Sequence, residues 1–431
     1  MDFLTHLNKY LSEEAIIKLK DSLLEKEKKA ILLNTNKMSE SQLLSLFPHL
    51  VKHPIIKNAY LYDKDEYELG KSIYHELGCF YIQEPSAMLP AFLLPHVEDG
   101  LILDMCAAPG GKSIGVSLSN PTSVIISNDL SSSRCQILLS NIERLGCSNI
   151  VVTNNDFSTI YCNFLEKFDS IILDAPCSGS GMFRKDNHYM EEDWSYSKVI
   201  KCATIQKELI SMAYKMLKKG GTLCYSTCSF SYEEDEEVVF YLLENSDAEL
   251  LPIPESNLYY VDKSKIGIHL FPYLFEGEGQ YIALIKKPGE RIVNKKESSK
   301  YKFPYLSMLP HYFNYSFFNF SNYIFMLPFD IFTKGLRIIR YGTKVGEIDK
   351  NMFHYDYHLS HVLKSFIATI ELTKEETIKY ISGEQLFKPN PYKGYVLLTY
   401  QNISIAFGKS DKEVIKNHYP KGIRKKINIS R

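Results

Sequence analysis

Five short apolar runs between residues 101 and 226 each end in a polar or thiol-bearing turn, and this repeat restricts the fold more than any other feature of the chain. The runs are Leu101–Asp104, Val124–Asp129, Ile150–Asp156, Phe168–Asp174 and Thr222–Ser226. Apolar runs of this length alternating with helical segments predict a parallel α/β sheet. In such an open sheet the ligand site lies outside the carboxyl ends of the strands. Cys106 to Lys112, Asp129, Asp156, Asp174, Cys177 and Cys228 should therefore converge on one rim. A single Asp after a strand is usually a turn residue or a helix cap. Four acids and two cysteines, each at a strand end, make a site pattern.

The first turn, Asp104-Met-Cys-Ala-Ala-Pro-Gly-Gly-Lys-Ser113, leaves its strand through glycines into a helix. Exposed backbone N–H groups at such a turn suit the anionic or polar end of a ligand. It is not a phosphate-binding P-loop, which would need Gly where Cys106 stands, and it lacks the Gly-x-Gly-x-x-Gly pattern. An acid about 20 residues beyond a glycine-rich first turn is placed to bond both hydroxyls of a ribose. Asp129 occupies that place.

All nine cysteines lie between Cys79 and Cys228. Their odd number and the absence of a Cys-x-x-Cys pair argue against a disulfide framework and a zinc ribbon. Cys135, Cys147, Cys162, Cys202 and Cys224 read as small core hydrophobes, with Cys79 unassigned. Cys177 and Cys228 differ, because each follows a strand in a turn of small polar residues (Pro176-Cys-Ser-Gly179 and Ser226-Thr-Cys-Ser229). No metal is expected. In the acidic run Glu233–Glu237, Ser231 and Glu234 read as a capping box. His354, His358 and His361 read as a surface stripe without acidic or thiol co-ligands.

At 431 residues the chain has room for several domains, at roughly 100–200 residues each. Residues 1–75 read as a small α+β unit, with a helix pattern, a strand at Ala30–Leu33 and a second helix capped by Ser39 that ends before Pro48. Residues 76–287 carry the α/β pattern, and residues 288–369 hold a linker and an aromatic-rich segment. Residues 370–431 contain strand candidates Tyr395–Thr399 and Ile403–Phe407 and a basic end. The linker Lys286–Lys302 has seven Lys or Arg, and Tyr301–Phe332 has 13 Tyr or Phe, which suit the packing of a small domain. The whole chain has 50 Lys plus Arg against 51 Asp plus Glu, so any nucleic-acid-binding surface must be local. From Lys409 to Arg431 there are eight basic residues and two acids. Apolar stretches such as Ala87–Leu94 are too short to span a bilayer. The N-terminus lacks the layout of a signal peptide, so a cytoplasmic address and no membrane partner are expected.

Asp104–Ser113, Asp129, Asp156, Asp174-Ala-Pro-Cys-Ser-Gly-Ser-Gly-Met-Phe183 and Tyr225-Ser-Thr-Cys-Ser-Phe230 together resemble the RNA (cytosine-5) methyltransferases of the Nol1/Nop2/Sun family. Phe80–Pro90 is similar to the segment that opens the catalytic domain there. Gly181–Asp186 and Lys416–Arg424 resemble the bacterial small-subunit ribosomal RNA branch, the RsmF-like proteins. The resemblance implies a Rossmann-like methyltransferase domain, a C-terminal PUA-like RNA-binding domain and S-adenosylmethionine as methyl donor. It implies that Cys106, Ala107, Ala108, Pro109, Gly110, Gly111 and Lys112 hold the methionine part of the donor. Asp129 would bind the ribose, Asp156 would lie near the adenine, and Asp174 would sit between cofactor and base. The chain departs from the family at Leu32-Leu33, where many members carry Arg, at Pro272-Tyr273 in place of Pro-His, and at Gly279-Gln280-Tyr281 in place of Gly-His-Phe.

Cytosine C5 is a poor nucleophile, and a thiolate adding to C6 activates it by covalent catalysis. Two cysteines fit two tasks. A Pro-Cys nucleophile, as in the DNA enzymes, would be Cys177, whereas the Thr-Cys nucleophile of the RNA family would be Cys228. The full Ser-Thr-Cys-Ser-Phe context selects Cys228, and Cys177 would assist product release. The expected partner is RNA, ribosomal RNA or a small-subunit particle, and the expected state is a monomer. The competing readings are a transfer RNA methyltransferase and a non-catalytic S-adenosylmethionine-binding ribosome-assembly factor. An amine-directed enzyme would show Asp/Asn-Pro-Pro-Tyr/Phe where Asp174-Ala-Pro-Cys177 stands.

Overall fold

A computed structural model describes residues 3–183, 194–261, 264–291, 299 and 301–425, less 307, 308, 313 and 351. Arg184, Lys185 and Asp186 of the Gly181–Asp186 motif, much of the basic linker and the last six residues lie outside the described residues.

Two helices open the chain, α1 (Phe3–Leu7) and α2 (Glu13–Leu23). Strands β1 (Lys29–Leu33), β2 (Val51–Lys52), β3 (Ala59–Tyr62) and β4 (Phe80–Gln83) then form a sheet in the order β2–β3–β1–β4. β1 is central and its Ala30–Leu33 are buried, which explains its unbroken apolar run. α3 (Glu40–Leu46) starts at Ser39, whose hydroxyl forms a capping box with Gln42. After the short α4 (Ile73–Glu76), β4 pairs with β1, so the boundary read at residue 75 falls inside this unit.

The central unit alternates helices and strands: α5 (Pro85–Leu93), β5 (Leu101–Asp104), α6 (Gly111–Ser119), β6 (Val124–Asn128), α7 (Ser132–Leu145) and β7 (Ile150–Thr153). It continues with α8 (Phe157–Asn163), β8 (Phe168–Asp174), α9 (Tyr196–Met216), β9 (Leu217–Thr227), α10 (Glu236–Glu244), β10 (Glu249–Leu250), β11 (Ile268–His269) and β12 (Tyr281–Lys286). The sheet order is β10–β12–β9–β8–β5–β6–β7. Neighbours from β7 to β9 are parallel, and β12 is antiparallel to β9. This is a Rossmann-like α/β layout. β5 comes first in sequence yet lies between β6 and β8, so the chain turns to opposite sides of it and opens a crevice at its carboxyl end. Register keeps the strand ends level, with Asp104 opposite Ser127 and Ile172, and Asp174 opposite Ser226.

Strands β13 (Ser316–Phe320), β14 (Tyr323–Leu327), β15 (Ile338–Tyr341), β16 (Thr343–Asp349) and β17 (Met352–Tyr355) follow, then α11 (Tyr357–Val362). β13, β14, β16 and β17 form their own sheet, while β15 pairs with β7 and covers that edge of the central sheet. The aromatic-rich segment packs as a core, with the Phe303 and Phe317 rings stacked 4.9 Å apart. The last unit has β18 (Thr369–Glu371), α12 (Lys374–Ser382), β19 (Leu386–Phe387), β20 (Gly394–Tyr400), β21 (Ile403–Ser410) and β22 (Val414–Asn417). Gln401 and Asn402, at φ 50° and 62°, give the two-residue turn whose twist matches the β20–β21 hairpin. The first and last sheets share one core, in which Ile31, Leu33 and Phe80 join Ile370, Tyr380 and Val396.

Two sequence expectations need correction. His354 lies on β17, and His358 and His361 are buried on α11 rather than forming a surface stripe. α11 packs against α7, where His358 Nε2 lies 3.2 Å from the Cys147 carbonyl and His361 Nδ1 lies 2.7 Å from Lys37 Nζ. Among the cysteines expected in the core, Cys135, Cys147 and Cys224 are buried, but Cys202 is half-buried and Cys162 is exposed. Cys162 sits on α8, which buries only Ile160. Among the described residues, no helix is long and apolar enough to cross a membrane.

Candidate active site

The β5–α6 turn is bound to the end of β6. Ala107 N–H donates to the Asn128 carbonyl at 2.8 Å, and Ala108 N–H points to Asp129 Oδ2 at 3.3 Å. Gly110 adopts φ 113°, a conformation that favours glycine, and leads into α6 without a side-chain cap. Behind the turn, Asp104 is 1% exposed; Ser113 donates to its Oδ2 at 2.6 Å, and its Oδ1 has no partner among the described residues. Burial raises the Asp104 carboxyl to about 6.

Asp129 lies in the crevice wall, 3% exposed. Its Oδ1 accepts from Ser131 N–H at 2.9 Å, and Arg134 Nη1 stands 3.5 Å from Oδ2. Asp156 differs from the other acids. It caps α8, accepting from Thr159 N–H at 2.8 Å and from the Ser158 and Thr159 hydroxyls at 2.5 and 2.9 Å. These bonds lower its carboxyl to about 2, and its side chain faces solvent.

Asp174 ends β8 as a carboxylate held by three donors. Lys112 Nζ is 2.7 Å from Oδ2, and Ser226 Oγ and Gln280 Nε2 are each 2.8 Å from Oδ1. Burial by itself would lower the Lys112 ammonium, but the Asp174 charge holds it above its ordinary value. Beyond Asp174 the two cysteine turns meet, with Cys177 Sγ and Cys228 Sγ 3.0 Å apart. The contact with Cys228, then burial and the charges of Glu234 and Asp174, push the Cys177 thiol well up. Gly181 N–H donates to the Cys228 carbonyl at 2.7 Å, and a Cβ at Gly181 would lie 2.8 Å from that oxygen. Only glycine lets the two turns approach this closely.

Glu234 joins these turns, which corrects the capping-box reading. Its carboxylate accepts from Ser178 N–H at 2.8 Å, Ser178 Oγ, Ser229 Oγ at 2.7 Å and Gln206 Nε2 at 3.2 Å. α10 starts two residues later, and Asp235 precedes it without a side-chain cap bond. Nearby, Asp235, Glu236 and His269 bring three ligand-type groups within 4.8 Å, but Thr227 Oγ1 donates to Asp235 and Glu236 Oε1 lies 2.6 Å from His269 Nε2. α1 and the turn after it also reach this loop, as His6 Nε2 lies 3.0 Å from Glu233 Oε2 and Tyr10 OH donates to Glu233 Oε1 at 2.9 Å.

The structure thus gathers Cys106–Lys112, Asp129, Asp174, Cys177 and Cys228 around one crevice, while the Asp156 carboxylate is occupied by its cap. Sequence reasoning missed Ser226, Glu234 and the Gln280–Asp174 contact. Ser226 was visible only as the end of a strand, and Glu234 was hidden by its spacing from Ser231. In the sequence Gln280 stands out only as a departure from the family pattern.

Comparisons with known proteins agree with this arrangement. Residues 91–286 match the family model of 16S rRNA methyltransferase RsmB/F, residues 1–85 the N-terminal domain of 16S rRNA methyltransferase RsmF, and residues 367–425 the methyltransferase RsmF PUA domain. The ribosomal RNA small subunit methyltransferase F of Psychromonas ingrahamii is 32% identical over 399 residues, covering 84% of this chain and 82% of the relative. That of Vibrio vulnificus is 30% identical over 442 residues, covering 93% and 92%. Among solved structures, a methyltransferase homolog from Pyrococcus horikoshii superposes with TM-score 0.59 at 28% identity, covering 66% of this chain and 93% of that one. NSun6 from Pyrococcus horikoshii, at 21% identity and TM-score 0.58, covers 67% and 98% and shares the fold. The chain therefore belongs to the RsmF branch of the Nol1/Nop2/Sun family of RNA methyltransferases.

Proposed function

We propose that this protein methylates C5 of a cytosine in small-subunit ribosomal RNA, through a covalent adduct between Cys228 and C6. The observation that carries the reading is the Cys177–Cys228 sulfur pair, 3.0 Å apart beside the Asp174 carboxylate. The crevice fits S-adenosylmethionine. The Gly110–Lys112 helix start offers N–H groups to a carboxylate, Asp174 offers negative charge to the sulfonium, and Asp129 offers two oxygens to ribose hydroxyls. When bound, S-adenosylmethionine supplies an electrophilic methyl group.

The remaining work falls to the chain's own residues. A proton shared by the two sulfurs and held on Cys177 leaves Cys228 as the nucleophilic thiolate. Cys228 forms the S–C6 bond, and the displaced electron pair makes C5 nucleophilic. N3 takes a proton from water as C6 is attacked, the Asp174 carboxylate, backed by Lys112, accepts the hydrogen bond of the N3–H so formed, and that proton returns to water when the ring is restored. After methylation, Cys177 accepts the C5 proton and passes its own proton to the departing sulfur of Cys228. The C6–S bond breaks, the C5=C6 bond returns, and one proton goes to solvent when Cys228 ionises again. The target base must be unpaired or flipped to reach this rim.

Bisulfite sequencing of small-subunit ribosomal RNA from a strain lacking the gene tests the reading. Loss of one 5-methylcytosine, restored by the wild-type gene and not by Cys228→Ala, is expected. Unchanged methylation of that RNA would overturn it.

A further inference from the structure

We propose that Gln280 is the residue that distinguishes cytosine from uracil, through an amide whose orientation Asp174 fixes. This inference rests on the proposed cytosine chemistry. Gln280 is 2% exposed and immediately precedes β12. Tyr281 pairs with Thr227, so the register sets Gln280 beside Cys228 at the same rim. The segment is held from several sides. Glu278 N–H donates to Glu84 Oε1 at 2.6 Å, Gly279 N–H to Ser86 Oγ at 3.0 Å, and the Gln280 carbonyl accepts from Leu270 N–H at 2.8 Å.

A glutamine amide free to rotate can present either NH2 or C=O to a base. Here it cannot. An ionised carboxylate only accepts hydrogen bonds, so the end of the amide 2.8 Å from Asp174 must be the NH2 group. The Oε1 is left as the end able to accept from a ligand. Asp174 itself cannot make the distinction, because N3 carries a proton in uracil and also in cytosine attacked at C6. Position 4 differs: cytosine has an amino donor and uracil a carbonyl acceptor. An acceptor fixed there bonds cytosine and repels uracil. Sites that read a polar group in this way discriminate far better than apolar ones.

The test compares kcat/KM for methyl transfer to two in-vitro transcripts of small-subunit ribosomal RNA, one with cytosine and one with uracil at the mapped position. Gln280→Met keeps length and removes the acceptor, and S-adenosylmethionine binding by calorimetry reports that the variant is folded. Gln280→His can donate one ring N–H to Asp174 and keep the other nitrogen as acceptor. Gln280→Met should lower the cytosine-to-uracil ratio by at least about tenfold, and Gln280→His should keep it within a few-fold of wild type. A wild-type ratio in Gln280→Met, or loss of transfer to both RNAs with either variant, would make Gln280 a support for Asp174 alone and overturn the proposal. Failure of the wild-type chain to methylate the cytosine transcript would instead count against the proposed function.

Discussion

Replacing Glu234 should separate the support of the cysteine pair from its chemistry. The Glu234 carboxylate takes four hydrogen bonds from Ser178, Ser229 and Gln206, on both cysteine turns and on α9. In Glu234→Ala the Ser178 N–H loses its acceptor and cannot turn to another, at a cost of about 1–3 kcal/mol. The two hydroxyls can rotate, and Gln206 keeps its 2.8 Å bond to the Pro176 carbonyl. Removing a buried carboxylate also relieves part of its desolvation, so a net loss of about 1–2 kcal/mol is expected. The two turns would no longer hold the sulfurs at their 3.0 Å spacing. A displacement near 1 Å lowers methyl transfer by about 100-fold. Glu234→Gln keeps an oxygen for Ser178 N–H and offers NH2 to hydroxyls that can accept. It should stay within about 1 kcal/mol and tenfold of wild type. Urea denaturation and transfer of labelled methyl groups measure both effects. Wild-type transfer by Glu234→Ala, or equal damage from Ala and Gln, would refute the argument.

Asp129→Ala should weaken S-adenosylmethionine by about 1–3 kcal/mol in calorimetry, whereas Asp156→Asn, which keeps a cap, should leave the affinity unchanged. Equal effects would overturn the distinction between these acids. Burial holds His53 at about 4 and His358 and His361 well below their ordinary value. Below pH ~6.5 the unfolded chain binds protons that the folded chain refuses, so stability is present above that pH and falls as pH drops toward 4. The slope is up to about 1.4 kcal/mol per pH unit for each histidine, and a pH-independent melting temperature between 6.5 and 5 would contradict it. Replacing Lys409, Lys412, Lys416 and Lys421 by Ala should flatten the salt dependence of RNA binding by about one logarithmic unit per contacting charge. An unchanged slope would remove this surface from the RNA interface. Point changes suit this test better than deletion, because the last sheet shares its core with the first.

Much of the catalytic half was legible because its signals are local. Apolar runs covered on both faces, acids at their ends and the glycine turn at 110–111 are all written in consecutive residues. What was missed depends on distant partners. β4 and β15 are defined by strands they pair with far along the chain, so composition gave domain boundaries that the sheets cross. Asp156 carries the same signature as Asp129, an acid after a strand, yet its carboxylate is taken up in capping α8. Ser231 and Glu234 have the spacing of a capping box, yet the Glu234 carboxylate bonds Ser178, 56 residues away. The three histidines face a junction between units, which helical spacing alone does not reveal.

The most direct test of the central claim is the fate of each cysteine variant on a denaturing gel with target RNA and S-adenosylmethionine. Cys177→Ala should attack and transfer methyl, then stall, leaving a protein–RNA band through Cys228 that nuclease removes. Cys228→Ala should be inactive and form no such band. An RNA-linked band from Cys228→Ala, with none from Cys177→Ala, would contradict the account by making Cys177 the nucleophile.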